Sequence, residues 1–271
     1  MRRTVFFISD STGITAETIG HSILAQFEGI DFDAHRLPFV DDSAKAQAAA
    51  VQIKTMYART GIKPIVVNTM VDPDLCDVVA SSGALMIDLF APFMGQLERE
   101  LDARRSGAVN RSHGLVDSGR YDNRINATNY ALTHDDGMST KFDTADVILV
   151  GVSRSGKTPT CLYMALQFGI RAANYPLTDE DLERLELPDC LQDNKSRMFA
   201  LDIDAERLSH IRAERRPNSR YASAEQARWE LGQARRLFKQ EQIAQINTTH
   251  LSIEEIASRI LSHFGLVRDT F

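Results

Sequence analysis

The sequence predicts an α/β fold built from two parallel-sheet units, and two observations carry that expectation. Short apolar runs suited to buried strands alternate with helical segments on both sides of a polar stretch in the middle of the chain. The length of 271 residues also matches about two domains. The expected division is an N-terminal parallel-sheet α/β domain over residues 1–105, a connection over 106–143 and a C-terminal domain over 144–271.

The elements follow in order. Val5 to Ile8 is a strand run ending in Ser9-Asp10-Ser11-Thr12-Gly13. A helical pattern comes next, with Ile19, Ile23 and Phe27 at i, i+4, i+8. Ser43 to Arg59 is an Ala-rich helix with Gly61 as its stop signal. Ile65-Val66-Val67 reads as a buried strand. Asp72-Pro73 opens a helix as cap plus first-turn proline, Gly83 closes it, and Ala84 to Phe90 forms a further strand. From Arg104 to Gly119 the periodicity disappears and polar residues dominate, as in an exposed connection. Tyr121 to Thr133 is helical and leads into His134-Asp135-Asp136-Gly137.

Composition excludes several functions. The net charge of −6 and a pI near 5.7 argue against a general nucleic-acid or anionic-membrane binder. The cysteines Cys76, Cys161 and Cys190 have no CxxC spacing, and the histidines form no HExxH pair. No apolar stretch approaches the ~20 residues of a membrane helix, and the N-terminus lacks a signal-peptide pattern. A cytoplasmic protein with no membrane or nucleic-acid partner is expected.

The second unit carries the strongest signal. Val147-Ile148-Leu149-Val150 suits a central parallel strand, and Gly151-Val152-Ser153-Arg154-Ser155-Gly156-Lys157-Thr158 follows it, matching GxxxxGK[ST]. Such a loop aims successive backbone N–H groups at phosphate oxygens, and the glycines permit the tight turn. Lys157 adds a positive charge and Thr158 a hydroxyl for Mg²⁺. The helix from Thr158 to Phe168 points its N-terminal dipole at the same anion, and Pro159 suits its first turn. A P-loop kinase-like domain is therefore expected, with all eight loop residues binding nucleotide and Thr158 holding metal. Lys157 and Arg154 within the loop, with Asp135 upstream, are the candidate catalytic residues.

Further strands are expected at Gly169 to Ala173, Met198 to Leu201 and Ile243 to Ile246. Asp202 and Asp204 lie where a Mg²⁺-binding carboxylate is found in such folds, although Asp204 equally suits a helix cap. Ser223-Ala224-Glu225-Gln226 and Ser252-Ile253-Glu254-Glu255 are capping-box patterns. Asn247-Thr248-Thr249 is similar to the closing segment of P-loop kinases, where that loop lies near the adenine ring. Arg212, Arg215, Arg216 and Arg220 read either as a solvated helix end or as an arginine-bearing lid over the transferring phosphoryl group. His134-Asp135-Asp136 offers a base for a hydroxyl acceptor, or a polar turn in which Asp135 satisfies backbone N–H groups. Ser9 to Gly13 lacks GxGxxG and suits a phosphate-binding turn or a structural one.

Five stretches together resemble one family: Ile8-Ser9-Asp10-Ser11-Thr12-Gly13-Ile14-Thr15-Ala16-Glu17, His134 to Gly137, Gly151 to Pro159, Gln167 to Pro176 and Glu214 to Ser223. This is the family of bacterial phosphoenolpyruvate synthase regulatory proteins, with the related pyruvate, phosphate dikinase regulatory proteins. The resemblance runs from about Thr4 to the C-terminus. It implies a bifunctional enzyme that phosphorylates a threonine of its target with ADP as donor and inactivates it. It also implies removal of that phosphate by inorganic phosphate, releasing pyrophosphate. The family's nucleotide-binding stretch falls on Gly151 to Thr158, and the implied protein partner is phosphoenolpyruvate synthase. The dikinase is the alternative target, an ATP-dependent small-molecule kinase the alternative enzyme, and a nucleotide-gated binder without chemistry the alternative class. Monomer and homodimer are both compatible with the sequence.

Overall fold

Strand β1 (Arg2–Ile8) buries Val5 to Ile8 almost completely, so it needs cover on both faces and both edges. The computed structural model, which describes residues 2–104 and 118–266, supplies that cover. β1 lies inside a four-stranded parallel sheet ordered β2 (Asp31–Leu37), β1, β3 (Ile65–Asn68), β4 (Leu85–Asp88). Val5 stands opposite Ala34 on one side and Ile65 on the other. Side-chain alternation then divides the core. Val5, Phe7 and Val67 face α1 (Ile14–Leu24), whereas Phe6, Ile8 and Val66 pack with residues of α2 (Ser43–Thr60) and α3 (Pro73–Ala80).

Helix α1 forms where expected but ends at Leu24, before Phe27, and turns a different face inward. Ile19, Ile23 and Phe27 are 41%, 36% and 56% exposed, and the buried positions are Ala16, Gly20 and Leu24. Close packing explains the choice: a Cβ on Gly20 would lie 2.4 Å from Cε1 of Phe7, so only a residue without a side chain lets the helix approach.

Helix α2 starts on Asp42, whose carboxylate accepts from the Lys45 N–H, and ends on left-handed Gly61. Asp72 caps α3 as expected, but that helix stops at Ala80, leaving Gly83 in the turn beyond it. Two elements had no clear sequence signal. Strand β2 is a half-exposed edge, and helix α4 (Ala91–Glu100) has no buried residue. The expected connection over Arg104 to Gly119 lies almost wholly outside the described residues.

The chain divides into two compact units, Met1–Leu115 and Val116–Phe271. In the second, helix α5 (Ser118–Thr133) packs on α6 (Lys157–Phe168) and on strand β6 (Ala172–Pro176), so this part of the 106–143 stretch is built into the second unit. The sheet is again parallel and four-stranded, ordered β6, β5 (Val147–Gly151), β7 (Met198–Asp202), β8 (Gln245–Asn247).

Val147 and Leu149 of β5 face α5, α6 and α11 (Ile253–Phe264), while Ile148 and Val150 face α10 (Ala224–Gln240). Two short helices, α7 (Asp179–Arg184) and α8 (Asp189–Gln192), follow β6, and α9 (Ala205–Arg215) follows β7. β6 begins later than the expected Gly169, because Gly169 adopts a left-handed conformation that caps α6. Ser252 and Glu255 complete a capping box on α11. The matching pattern at Ser223 forms only its first half: Ser223 accepts from Gln226 N–H, but the Gln226 side chain turns to Arg220 and Glu230. The α/β class with two parallel sheets stands as predicted, and the second sheet is consistent with a kinase-like fold.

Candidate active site

The glycine-bearing loop expected to bind phosphate leaves the carboxyl end of β5 and enters α6. Its first glycine is dictated by crowding, since a Cβ on Gly151 would sit 2.5 Å from the Leu201 carbonyl oxygen. Gly156, at the entrance of α6, has φ 96° in open space, so its requirement is conformational. No side chain caps α6, which leaves its first N–H groups for a ligand. Ser155 Oγ is buried and has no hydrogen-bond partner among the described residues. Arg154, at φ 75°, is exposed. Ser153, Arg154, Gly156, Lys157 and Thr158 line a cavity of about 280 Å³ with Asp136, Pro159 and Ile211.

Lys157 is 4% exposed, and its Nζ donates to the carbonyls of Gly151 at 3.1 Å and Val152 at 2.9 Å. Burial pushes its pKa down to about 8, with Asp136 opposing the shift. The ammonium is thus stored inside the loop on weak neutral acceptors, and a phosphate is the stronger partner.

The turn after α5 meets the loop at Thr158, whose Oγ1 donates to Asp135 Oδ1 at 2.8 Å. Asn174 of β6 donates to the same carboxylate oxygen and accepts from the Asp136 N–H at 3.1 Å. Asp135 therefore serves side chains, whereas a polar turn would give it backbone N–H groups. His134 is buried behind it, with its ring nitrogens 2.9 and 3.0 Å from the Tyr130 and Lys141 carbonyls and its ring stacked on Tyr130. It anchors the turn.

The other metal candidates point elsewhere. Asp202 accepts from Arg235 at 2.9 Å, and Asp204 accepts from Asn247 at 2.8 Å. Asp204 stands at the N-cap of α9, just before Ala205, yet its side chain makes no capping bond. Among the described residues no three His, Cys, Asp or Glu side chains converge as a metal cluster.

Arg212 fits neither a solvated helix end nor a free lid. It has no exposed surface, pairs with Glu230 at 3.0 and 2.6 Å, and donates to the carbonyls of Ser153 and Tyr221. Its guanidinium lies 4.2 Å from the Tyr221 ring centroid, and the Tyr221 hydroxyl meets Ser153 Oγ at 2.9 Å. These contacts tie the loop after β5 to α9 and α10. Arg215, Arg216 and Arg220 remain exposed.

In the Ser9 to Gly13 turn, Ser9 Oγ accepts from the Ser11 N–H, and Asp10 Oδ2 accepts from the Val71 N–H of the segment after β3. Asn174, Tyr221 and Glu230 carried no assigned role in the sequence. For Asn174 the available signal was a polar residue inside a buried strand.

The kinase/pyrophosphorylase family matches residues 5–261 of this chain. The chain belongs to that family. Membership fits an uncapped helix behind a loop that carries glycines and a buried lysine, since a kinase and a pyrophosphorylase both handle phosphoryl groups. Relatives in the family are similar over nearly the whole length. A protein of Xanthomonas euvesicatoria pv. vesicatoria (strain 85-10) is 56% identical over 99% of this chain and 98% of its own. One from Xanthomonas campestris pv. campestris (strain B100) is 56% identical with the same coverage. A third, from Stenotrophomonas maltophilia (strain K279a), is 54% identical, also over 99% and 98%. Each bears the name "Putative phosphoenolpyruvate synthase regulatory protein".

Proposed function

We propose that this chain regulates phosphoenolpyruvate synthase by adding and removing a phosphate on a threonine of that enzyme, with ADP as phosphoryl donor and inorganic phosphate as the removing reagent. The observation that carries the reading is the group of donors at the start of α6: N–H groups without a side-chain cap, a buried Ser155 hydroxyl with no partner among the described residues and a Lys157 parked on carbonyls. The kinase/pyrophosphorylase family and the names of the relatives support the choice of chemistry and target.

Gly151 to Thr158 hold the α- and β-phosphates through backbone N–H groups, and Lys157 leaves the loop carbonyls to neutralise the β-phosphate. Thr158 Oγ1 and Asp135 Oδ1, 2.8 Å apart, are hard oxygen donors of the kind Mg²⁺ takes alongside phosphate oxygens. A bound Mg²⁺ would offset phosphate charge.

Asp135 Oδ2 accepts no hydrogen bond among the described residues and takes the proton of the target threonine. The threonine oxygen then bonds to the β-phosphorus, the bridging bond to the α-phosphate breaks, and AMP leaves. In the second reaction an oxygen of inorganic phosphate attacks the phosphothreonine. Pyrophosphate forms in the same cradle, and Asp135 passes the proton given up by the attacking hydrogen phosphate to the departing threonine oxygen. Asp135 is thus base in one reaction and proton relay in the other.

The test is incubation of the purified chain and the synthase with ADP labelled at its β-phosphate, beside ATP labelled at its γ-phosphate. Label on a synthase threonine from ADP supports the reading. Transfer from ATP alone refutes the donor, and modification of a dikinase but not the synthase refutes the target.

A further inference from the structure

Asn174 sits where phosphoryl transfer needs a fixed carboxylate. It is 1% exposed and stands opposite Leu149 of the phosphate-loop strand. Its carboxamide is fully committed. Nδ2 donates to Asp135 Oδ1 and lies 3.3 Å from Thr158 Oγ1, while Oδ1 accepts from the Asp136 N–H at 3.1 Å. Its backbone N–H donates to the His134 carbonyl at 3.1 Å. Sheet and turn are therefore stitched together by one residue, on both its main chain and its side chain.

We infer that Asn174 is a positioning residue for phosphoryl transfer, acting through Asp135. Resting on the function proposed above, its task is to hold Asp135 Oδ1 beside Thr158 so that Oδ2 is left for the acceptor proton. A carboxamide suits this position because it donates to Asp135 and accepts from Asp136 at once. An aspartate there keeps the acceptor and loses the donor. A hydrophobic residue loses both and strands the Asp136 N–H.

Asn174 touches no reacting atom in this scheme, so its signature is dependence on Asp135. The experiment is a double-mutant cycle over Asn174→Asp, Asn174→Ala and Asp135→Asn in the full-length chain. It measures kcat for transfer from β-labelled ADP, ADP affinity by calorimetry and folding by thermal melt. Both Asn174 variants are expected to lower kcat about tenfold to a hundredfold, with ADP affinity changed less than about threefold. In the Asp135→Asn background, Asn174→Ala is expected to change kcat less than about twofold, because the residue acts through a group already disabled. Equal losses in both backgrounds, or full activity in Asn174→Asp, would overturn the inference.

A crystal structure of Asn174→Ala decides the point without any activity. Asp135 is expected to leave Thr158, and a retained contact at 2.8 Å would sink the assignment. Wild-type protein that moves label from neither nucleotide would count against the proposed function, and the same crystal structure would then judge Asn174 alone.

Discussion

Lys157 is charged at neutral pH yet sits in a site that favours its neutral form, with a pKa near 8 against an ordinary 10.5. A diphosphate bound beside it restores the charged form. Below about pH 8 the ammonium is already present, so ADP binding takes up no proton there. Above that value binding must protonate Lys157, and ADP affinity should fall by up to about tenfold per pH unit. Calorimetry between pH 7 and 9.5 checks this, and Lys157→Met should flatten the slope while weakening binding.

The two loop glycines should differ in how they fail. Gly151→Ala meets a backbone oxygen at 2.5 Å and should destabilise the fold by about 1–3 kcal/mol, seen in urea unfolding. Gly156→Ala meets nothing within 4 Å and pays only the strain of φ 96°, about 1–2 kcal/mol. A bulky residue at Gly156 should abolish thermal protection by ADP, through blocked approach to the phosphates. At this scale the loop was legible because each fixed position has its own local reason. Asn174 and Arg212 were not, because their roles rest on contacts with Asp135 and Glu230, 39 and 18 residues away.

Among the elements, strands β1, β3, β5 and β7 announced themselves because strands buried on both faces read as continuous apolar runs. Edge strand β2, half-exposed and carrying Asp33, His35 and Arg36, had no such pattern. The inward face of α1 was illegible for a related reason: large apolar residues suggest a core face, but the sheet lies close enough to demand Ala16 and Gly20. Replacing Gly20 with leucine should therefore lower stability by more than about 2 kcal/mol, while Ile19→Ser should cost under about 1 kcal/mol.

The Arg212–Glu230 pair bridges α9 and α10 within the core. Glu230→Leu alone leaves a buried guanidinium unpaired and should cost about 3–5 kcal/mol, whereas replacing both partners by apolar residues should cost much less. Comparing the single and double variants by chemical denaturation separates the two. ADP affinity should fall most in the double variant, which also loses the Arg212 bond to the Ser153 carbonyl.

For the molecule as a whole, two similar parallel sheets have different loops at the carboxyl ends of their central strands. Both loops lead into helices without a side-chain cap, but the loop after β1 turns Ser9 onto the Ser11 N–H and Asp10 onto the Val71 N–H, whereas the loop after β5 holds a buried Ser155 hydroxyl with no partner among the described residues and the Lys157 ammonium on loop carbonyls. The function proposed above accordingly assigns the chemistry to the second unit, with one cradle for the β-phosphate of ADP and for the pyrophosphate of the reverse modification. The direct test is Lys157→Ala, measured in both reactions with wild-type protein alongside: label transfer from β-labelled ADP to the synthase, and release of pyrophosphate from phosphorylated synthase and labelled inorganic phosphate. A shared cradle predicts that both rates fall together by at least about a hundredfold in a folded variant. Retention of either rate at the wild-type level would contradict it.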